Sequence, residues 1–69
     1  MSVYKFIELV GTSPDSWEKA AEAAVTMASK SLRDLRIAEV IEQDLQIEND
    51  KIKAYRTKLR LSFKYEGSA

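Results

Sequence analysis

The stretch AYRTKLRLSFKY, residues 54–65, constrains this chain more than any other. Tyr55, Thr57, Leu59, Leu61, Phe63 and Tyr65 form one mostly apolar row. Ala54, Arg56, Lys58, Arg60, Ser62 and Lys64 form the other, with four cations. A period of two belongs to a strand, whose successive side chains point to opposite faces of a sheet. One face of this strand is therefore built for burial and the other carries positive charge. Yet the chain holds 11 Lys and Arg against 11 Asp and Glu, a net charge of zero. A general nucleic-acid binder carries a basic excess on its surface, so that class is disfavoured and nucleic acid is not an expected partner. The cationic row needs carboxylates from the protein itself.

Two further stretches have strand character. VYKFIELV at 3–10 is rich in β-branched and aromatic residues. Its rows are Val3, Lys5, Ile7, Leu9 and Tyr4, Phe6, Glu8, Val10, so neither face is wholly polar. RIAEVIEQDLQI at 36–47 places Ile37, Ile41, Leu45 and Ile47 in one row with Glu39 and Gln43. The other row holds Arg36, Ala38, Val40, Glu42, Asp44 and Gln46. The segment ENDK at 48–51 is a turn signal, because Asn49 and Asp50 tolerate left-handed dihedrals. It links this strand to a last one spanning 52–65.

Between the first two strands lies GTSPDSWE. Gly11 can end the strand. Ser13 followed by Pro14 fits an N-cap with proline at the first helical position. Asp15 with Glu18 fits a capping box one turn later. Both place the helix start near residues 14–16. From Trp17 to about Arg33 the apolar residues recur at helical spacing: Trp17, Ala20, Ala21, Ala24, Met27, Ala28, Leu32 and Leu35. An alanine-rich stripe lets a helix approach a sheet closely. The domain spans 1–66, and residues 67–69 are expected to form a flexible tail.

The element order is thus β-α-β-β, an α+β subunit with a three-stranded antiparallel sheet. One helix covers one face of such a sheet and leaves the other open. A domain of this size buries only about 60% of its unfolded surface. The chain has no cysteine and no histidine, so neither a disulfide nor a usual zinc site compensates. Completion by other copies of the chain is the expectation. No apolar run is long enough for a membrane helix, and no signal-peptide pattern opens the chain; neither a membrane nor an exported location is expected, and the cytoplasm is the default. No catalytic constellation or glycine-rich phosphate loop is present, so the chain is not expected to be an enzyme.

The acidic residues raise the question of a hard cation. Glu39, Glu42 and Asp44, with Glu48 and Asp50 near the turn, are the candidates, and Glu42 and Asp44 share a row. Calcium takes six to eight oxygen ligands. The competing and favoured reading pairs these carboxylates with the cations of the last strand, in the same chain or in a neighbouring copy, at roughly 0.2–1 kcal/mol per cross-strand pair. The single tryptophan, Trp17, could stack on a ligand; its place at the head of the apolar stripe favours a packing role.

Three segments carry a family resemblance: VGTSPDSWEKAAEAAV, AEVIEQ and YRTKLRLSFKYE. In order and spacing the chain resembles the dodecins. The resemblance implies a sheet partly wrapped around one helix, twelve copies forming a hollow shell, and a storage or buffering role. Many members bind flavins, riboflavin or FMN, between stacked tryptophans. On this chain the stacking position falls on Ile37, the glutamine that bonds the ring edge on Arg56, an arginine suited to phosphate on Asp44, and a histidine on Gln46. Each aromatic stacking partner is worth roughly 1–3 kcal/mol. Ile37 has no π face, Arg56 cannot accept a hydrogen bond, and Asp44 repels phosphate. The expectation is weak or absent flavin binding. MSVYK, GTSP, SWE, VIEQD and SFK are similar to dodecin-like proteins described as calcium-binding, and no calcium-ligand motif of theirs maps residue by residue here; the metal candidates Glu42 and Asp44 come from their shared row.

Overall fold

A computed structural model describes residues 1–65. The expected tail, residues 67–69, lies outside them. The elements are β1 (Tyr4–Ser13), α1 (Trp17–Ser29), β2 (Leu35–Glu48) and β3 (Lys51–Lys64). All pairings are antiparallel, in the order β1-β3-β2. The β-α-β-β order read from the sequence therefore stands. The most regularly alternating strand is the central one. Among the described residues it is the only strand with neighbours on both sides, so its two rows are the most strictly sorted.

The apolar row of β3 faces α1. Leu59 and Leu61 are each 1% exposed and Thr57 is fully buried. They meet Ala24 and Ala28, with Ile7, Leu9, Ala21, Val25, Leu32 and Leu35 packed around them. Met27 departs from the expected stripe: it is 64% exposed. At about 100° per residue it stands roughly 60° off Ala24, on the flank of the helix, and Val25 supplies core contact on the other flank.

Gly11 does not end β1, which runs on to Ser13. A Cβ on Gly11 would overlap the Ala20 carbonyl oxygen and stand 3.1 Å from the Ala24 Cβ. The glycine is there to let α1 cross the strand at close range. Neither expected cap forms. Ser13 is the last residue of β1, opposite Tyr55, and its hydroxyl accepts from the Asp15 N–H at 3.0 Å. Ser16 is the N-cap, accepting from the Lys19 N–H at 3.0 Å. Pro14 and Asp15 belong to the connection.

The helix also ends sooner than its stripe suggests, at Ser29. Leu32 lies in the following turn and Leu35 opens β2, yet both pack on the same core. Asp34, with φ 58°, makes the left-handed step into β2. At the other junction Asn49 and Asp50 have φ 52° and 60°, the two-residue hairpin turn expected from ENDK.

Rows in β2 do not follow simple parity. The register with β3 shifts between Leu35 and Ile37, between Val40 and Glu42, and between Gln46 and Ile47. Leu35, Ala38, Val40, Gln43 and Leu45 align with the apolar row of β3. Ile37, Glu39, Glu42 and Asp44 align with Ser62, Arg60, Lys58 and Arg56. A bulge adds a residue to one strand and reverses the alternation beyond it. Glu39 therefore joins Glu42 and Asp44 on one face, against the separate rows inferred from counting.

The molecule is long, 53 × 20 × 15 Å, with a radius of gyration of 14.2 Å; a compact domain of this length has about 11 Å. It exposes 5424 Å², against about 4,400 Å² for a compact monomer of this mass.

Candidate functional site

The sheet face turned away from α1 carries the candidate positions. Its centre is a charge lattice spanning all three strands. Arg60 on β3 lies between Glu8 on β1, at 3.0 Å, and Glu39 on β2, at 3.7 Å. Lys58 lies 3.7 Å from both Glu8 and Glu42. Arg56 holds Asp44 with two arms, Nε to Oδ1 at 2.7 Å and NH2 to Oδ2 at 2.8 Å. The carboxylates required by the cationic row thus come from the same chain, from both neighbouring strands. Glu8 is the contributor that sequence reasoning missed. Its signal was a lone acid in the row Tyr4, Phe6, Val10.

Hydrogen bonds from the Arg56 guanidinium hold the Asp44 carboxyl below its usual value; desolvation opposes them, and the Arg56 charge adds to the lowering. The same contact raises Arg56 further above its already high value. Glu8 is lowered chiefly by its hydrogen bond from Arg60, with Lys58 adding to the effect. All these side chains remain about half exposed, so each pair contributes modestly to stability.

Trp17 reaches this region from the other side of the sheet. Its Nε1–H donates to the Asp44 carbonyl at 3.1 Å, and its ring meets Tyr55 edge-on at 5.2 Å. The buried Thr57 hydroxyl donates to the Trp17 carbonyl at 2.9 Å. These contacts give Trp17 the packing role favoured from the sequence.

The four positions inherited from the resemblance fall into two groups. Asp44 and Arg56 touch, and Gln46 follows opposite Ala54. Ile37 stands opposite Ser62, six residues along β3 from Arg56, or about 20 Å at strand rise. Ile37 is 66% exposed and, with Tyr4, Phe6, Arg36 and Ser62, lines an open apolar hollow of about 300 Å³. No small ligand can touch Ile37 and Arg56 of one chain together. The recess beside Asp44 measures about 170 Å³ and is lined by Val10, Glu42, Asp44, Arg56 and Lys58. Within it Arg56 and Asp44 are hydrogen-bonded to each other, and Lys58 stands 3.7 Å from Glu42.

Calcium fares no better within a single chain. Glu42 is held by Lys58 and Asp44 by Arg56. Glu48 is taken by Lys53 at 2.8 Å, and Asp50 forms the hairpin turn. Among the described residues no three Asp, Glu, His or Cys side chains gather where they could hold a metal. Six to eight oxygens are not available from these residues alone. Among the same residues, no helix is long and apolar enough to cross a membrane.

Comparison with known proteins places this arrangement. The family model described as Dodecin matches residues 3–66. The chain is 53% identical over 64 residues to the calcium dodecin of Mycobacterium tuberculosis, covering 93% of this chain and 90% of that protein. It is 42% identical over 64 residues to the dodecin of Thermus thermophilus, covering 93% of each. Among solved structures, dodecin from Streptomyces coelicolor superposes with a TM-score of 0.92 at 40% identity, over 97% of this chain and 96% of that one. A crystal structure of the Mycobacterium tuberculosis calcium dodecin, described as calcium-chelating with a calcium-binding site, gives 0.85 at 52% identity, over 99% and 97%. With the family model spanning nearly its whole length and the same β-α-β-β fold, the chain belongs to the dodecin family.

Proposed function

We propose that this chain is a non-enzymatic binding subunit that assembles with copies of itself, as a dodecameric shell, to hold or buffer a small ligand or ion, and that calcium fits it better than flavin. The bidentate Asp44–Arg56 pair carries the reading. It occupies two of the positions at which the family resemblance puts flavin contacts, and it turns both groups toward each other. Ile37 supplies apolar area at the stacking position but no ring face. The relative described as calcium-chelating supports the preference for calcium. Because Glu42 and Asp44 of one chain are already engaged, a calcium ion here takes carboxylate or carbonyl oxygens from more than one copy.

Assembly is supported by the surface itself. The exposed area exceeds that of a compact monomer by about 1,000 Å², and a standard interface takes about 800 Å² from each partner. Calorimetric titration of the assembled protein with calcium should show saturable heat. Riboflavin and FMN fluorescence should stay unquenched at micromolar protein. Quenching together with a silent calcium titration would replace this reading with that of a flavin binder whose pocket is altered. Silence in both would leave a purely structural assembly.

A further inference from the structure

We propose that Arg56 is a built-in antagonist of divalent-cation binding: its guanidinium holds the Asp44 carboxylate where a metal would need it free, and its removal raises the affinity of this sheet face for a divalent cation. The inference rests on the calcium reading above and names the residue that regulates it.

The mismatch between this face and a metal is specific. Calcium takes six to eight oxygens, and among the described residues no three carboxylates gather to supply them. What gathers instead is opposite charge. Glu42 and Asp44 share a face, and each stands opposite a cation of β3. The two cations hold their partners differently. Arg56 donates from Nε and NH2 to both oxygens of Asp44, at 2.7 and 2.8 Å. Such a fork is the strongest arrangement open to a carboxylate and a cationic side chain. Lys58 is divided between Glu42 and Glu8, at 3.7 Å from each, which is longer than a hydrogen bond. Glu42 is therefore the loosely held carboxylate and Asp44 the masked one.

Removing the mask does not require the strand to move. Asp44 has a second anchor that does not involve its carboxylate: its carbonyl accepts the Trp17 indole N–H at 3.1 Å. Trp17 is fixed in turn, with its carbonyl accepting from the buried Thr57 hydroxyl at 2.9 Å and its ring edge-on to Tyr55. With Arg56 shortened, the backbone at Asp44 stays in place. The freed carboxylate then borders, together with Glu42, the recess of about 170 Å³ beside β3. Arg56 and Asp44 are 46% and 51% exposed, so their pairing is weak enough to be exchanged. The charge of Arg56 matters as much as its bonds. A unit positive charge about 4 Å from a doubly charged cation weakens its binding by about tenfold or more even at the dielectric of water.

Trp17, the single tryptophan, also supplies the readout because it touches Asp44. Terbium, a luminescent ion with calcium's size and oxygen preference, emits when excited through a nearby indole. Arg56→Gln and Arg56→Met should each keep the parent's far-UV circular dichroism. Both should bind terbium and calcium about tenfold or more tighter than the parent, by tryptophan-sensitised emission and by calorimetry. Adding Asp44→Asn to either variant should abolish the gain. Arg36→Gln removes a cation about 26 Å along β2 from Asp44 and should bind within about twofold of the parent. Unchanged or weaker binding in both Arg56 variants, an equal gain in Arg36→Gln, or a gain that survives Asp44→Asn would each overturn the antagonist. A silent parent beside a binding Arg56→Gln protein would overturn calcium as the parent's ligand and uphold the antagonist. Silence in the parent and in both Arg56 variants would overturn the two together.

Discussion

Arg56 on β3 and Asp44 on β2 close a two-armed ion pair at 2.7 and 2.8 Å, and the carbonyl of that same Asp44 accepts the Trp17 indole N–H at 3.1 Å. Two residues that the sequence presents as separate departures from a ligand pocket are one unit. Their substitution effects should therefore not add. Asp44→Asn and Arg56→Gln should each lower the thermal midpoint, and the double variant should lose less than the two losses combined. Additive shifts in thermal unfolding would show that the pair is a contact without coupling.

Acid should weaken the folded chain in a defined window. Asp44 and Glu8 are held below their ordinary values by Arg56 and Arg60. Their stabilising effect is present above the unfolded values, about 3.9 for Asp and 4.3 for Glu. It is lost as pH falls through the lower folded values, because the unfolded chain then binds more protons. Unfolding midpoints measured from pH 6 to 2, values chosen to bracket those about 4, should fall most steeply at the acid end. The Asp44→Asn, Glu8→Gln double variant should flatten that slope.

Gly11→Ala should destabilise the fold by about 1–3 kcal/mol, the usual cost of forcing a group into a packed contact. The added methyl overlaps the Ala20 carbonyl oxygen, which cannot rotate away as a side chain could. Relief requires α1 to move off β1. Denaturant titration should register the loss, and a midpoint equal to the parent's would show that the helix yields freely.

Leu59→Ala should cost about 2–5 kcal/mol, since Leu59 is 1% exposed at the centre of the core on the central strand. In a chain whose buried core centres on two leucines and a few alanines, that is enough to threaten folding altogether. Denaturation of the variant alongside the parent checks it; a loss below about 1 kcal/mol would mean the core collapses around the gap.

The alternation of 54–65 alone determined which face of the last strand would be buried and which would carry charge; its place at the centre of the sheet came only with the strand order β1-β3-β2. The helical stripe placed Ala20, Ala24 and Ala28 in the core, and Asn49–Asp50 located the hairpin, because these signals are local: they depend on strand period, helix period and turn dihedrals. Gly11 misled because its reason is not local. It clears the path of a helix that starts six residues later. Leu32 and Leu35 extended the helical stripe on paper, since a core accepts apolar groups from a turn and a strand as readily as from a helix.

The candidate face depended on tertiary structure. Bulges in the β2–β3 pairing reversed the parity of β2 and brought Glu39 into line with Glu42 and Asp44. Pairing of β1 with β3 then brought in Glu8, from a segment 52 residues away from its partner Arg60. Composition, periodicity and turn chemistry determined the elements and the charge that had to be matched. Only the register between strands decided which carboxylate meets which cation, because that choice is set by hydrogen-bond pairing between distant parts of the chain and leaves no mark in either segment alone.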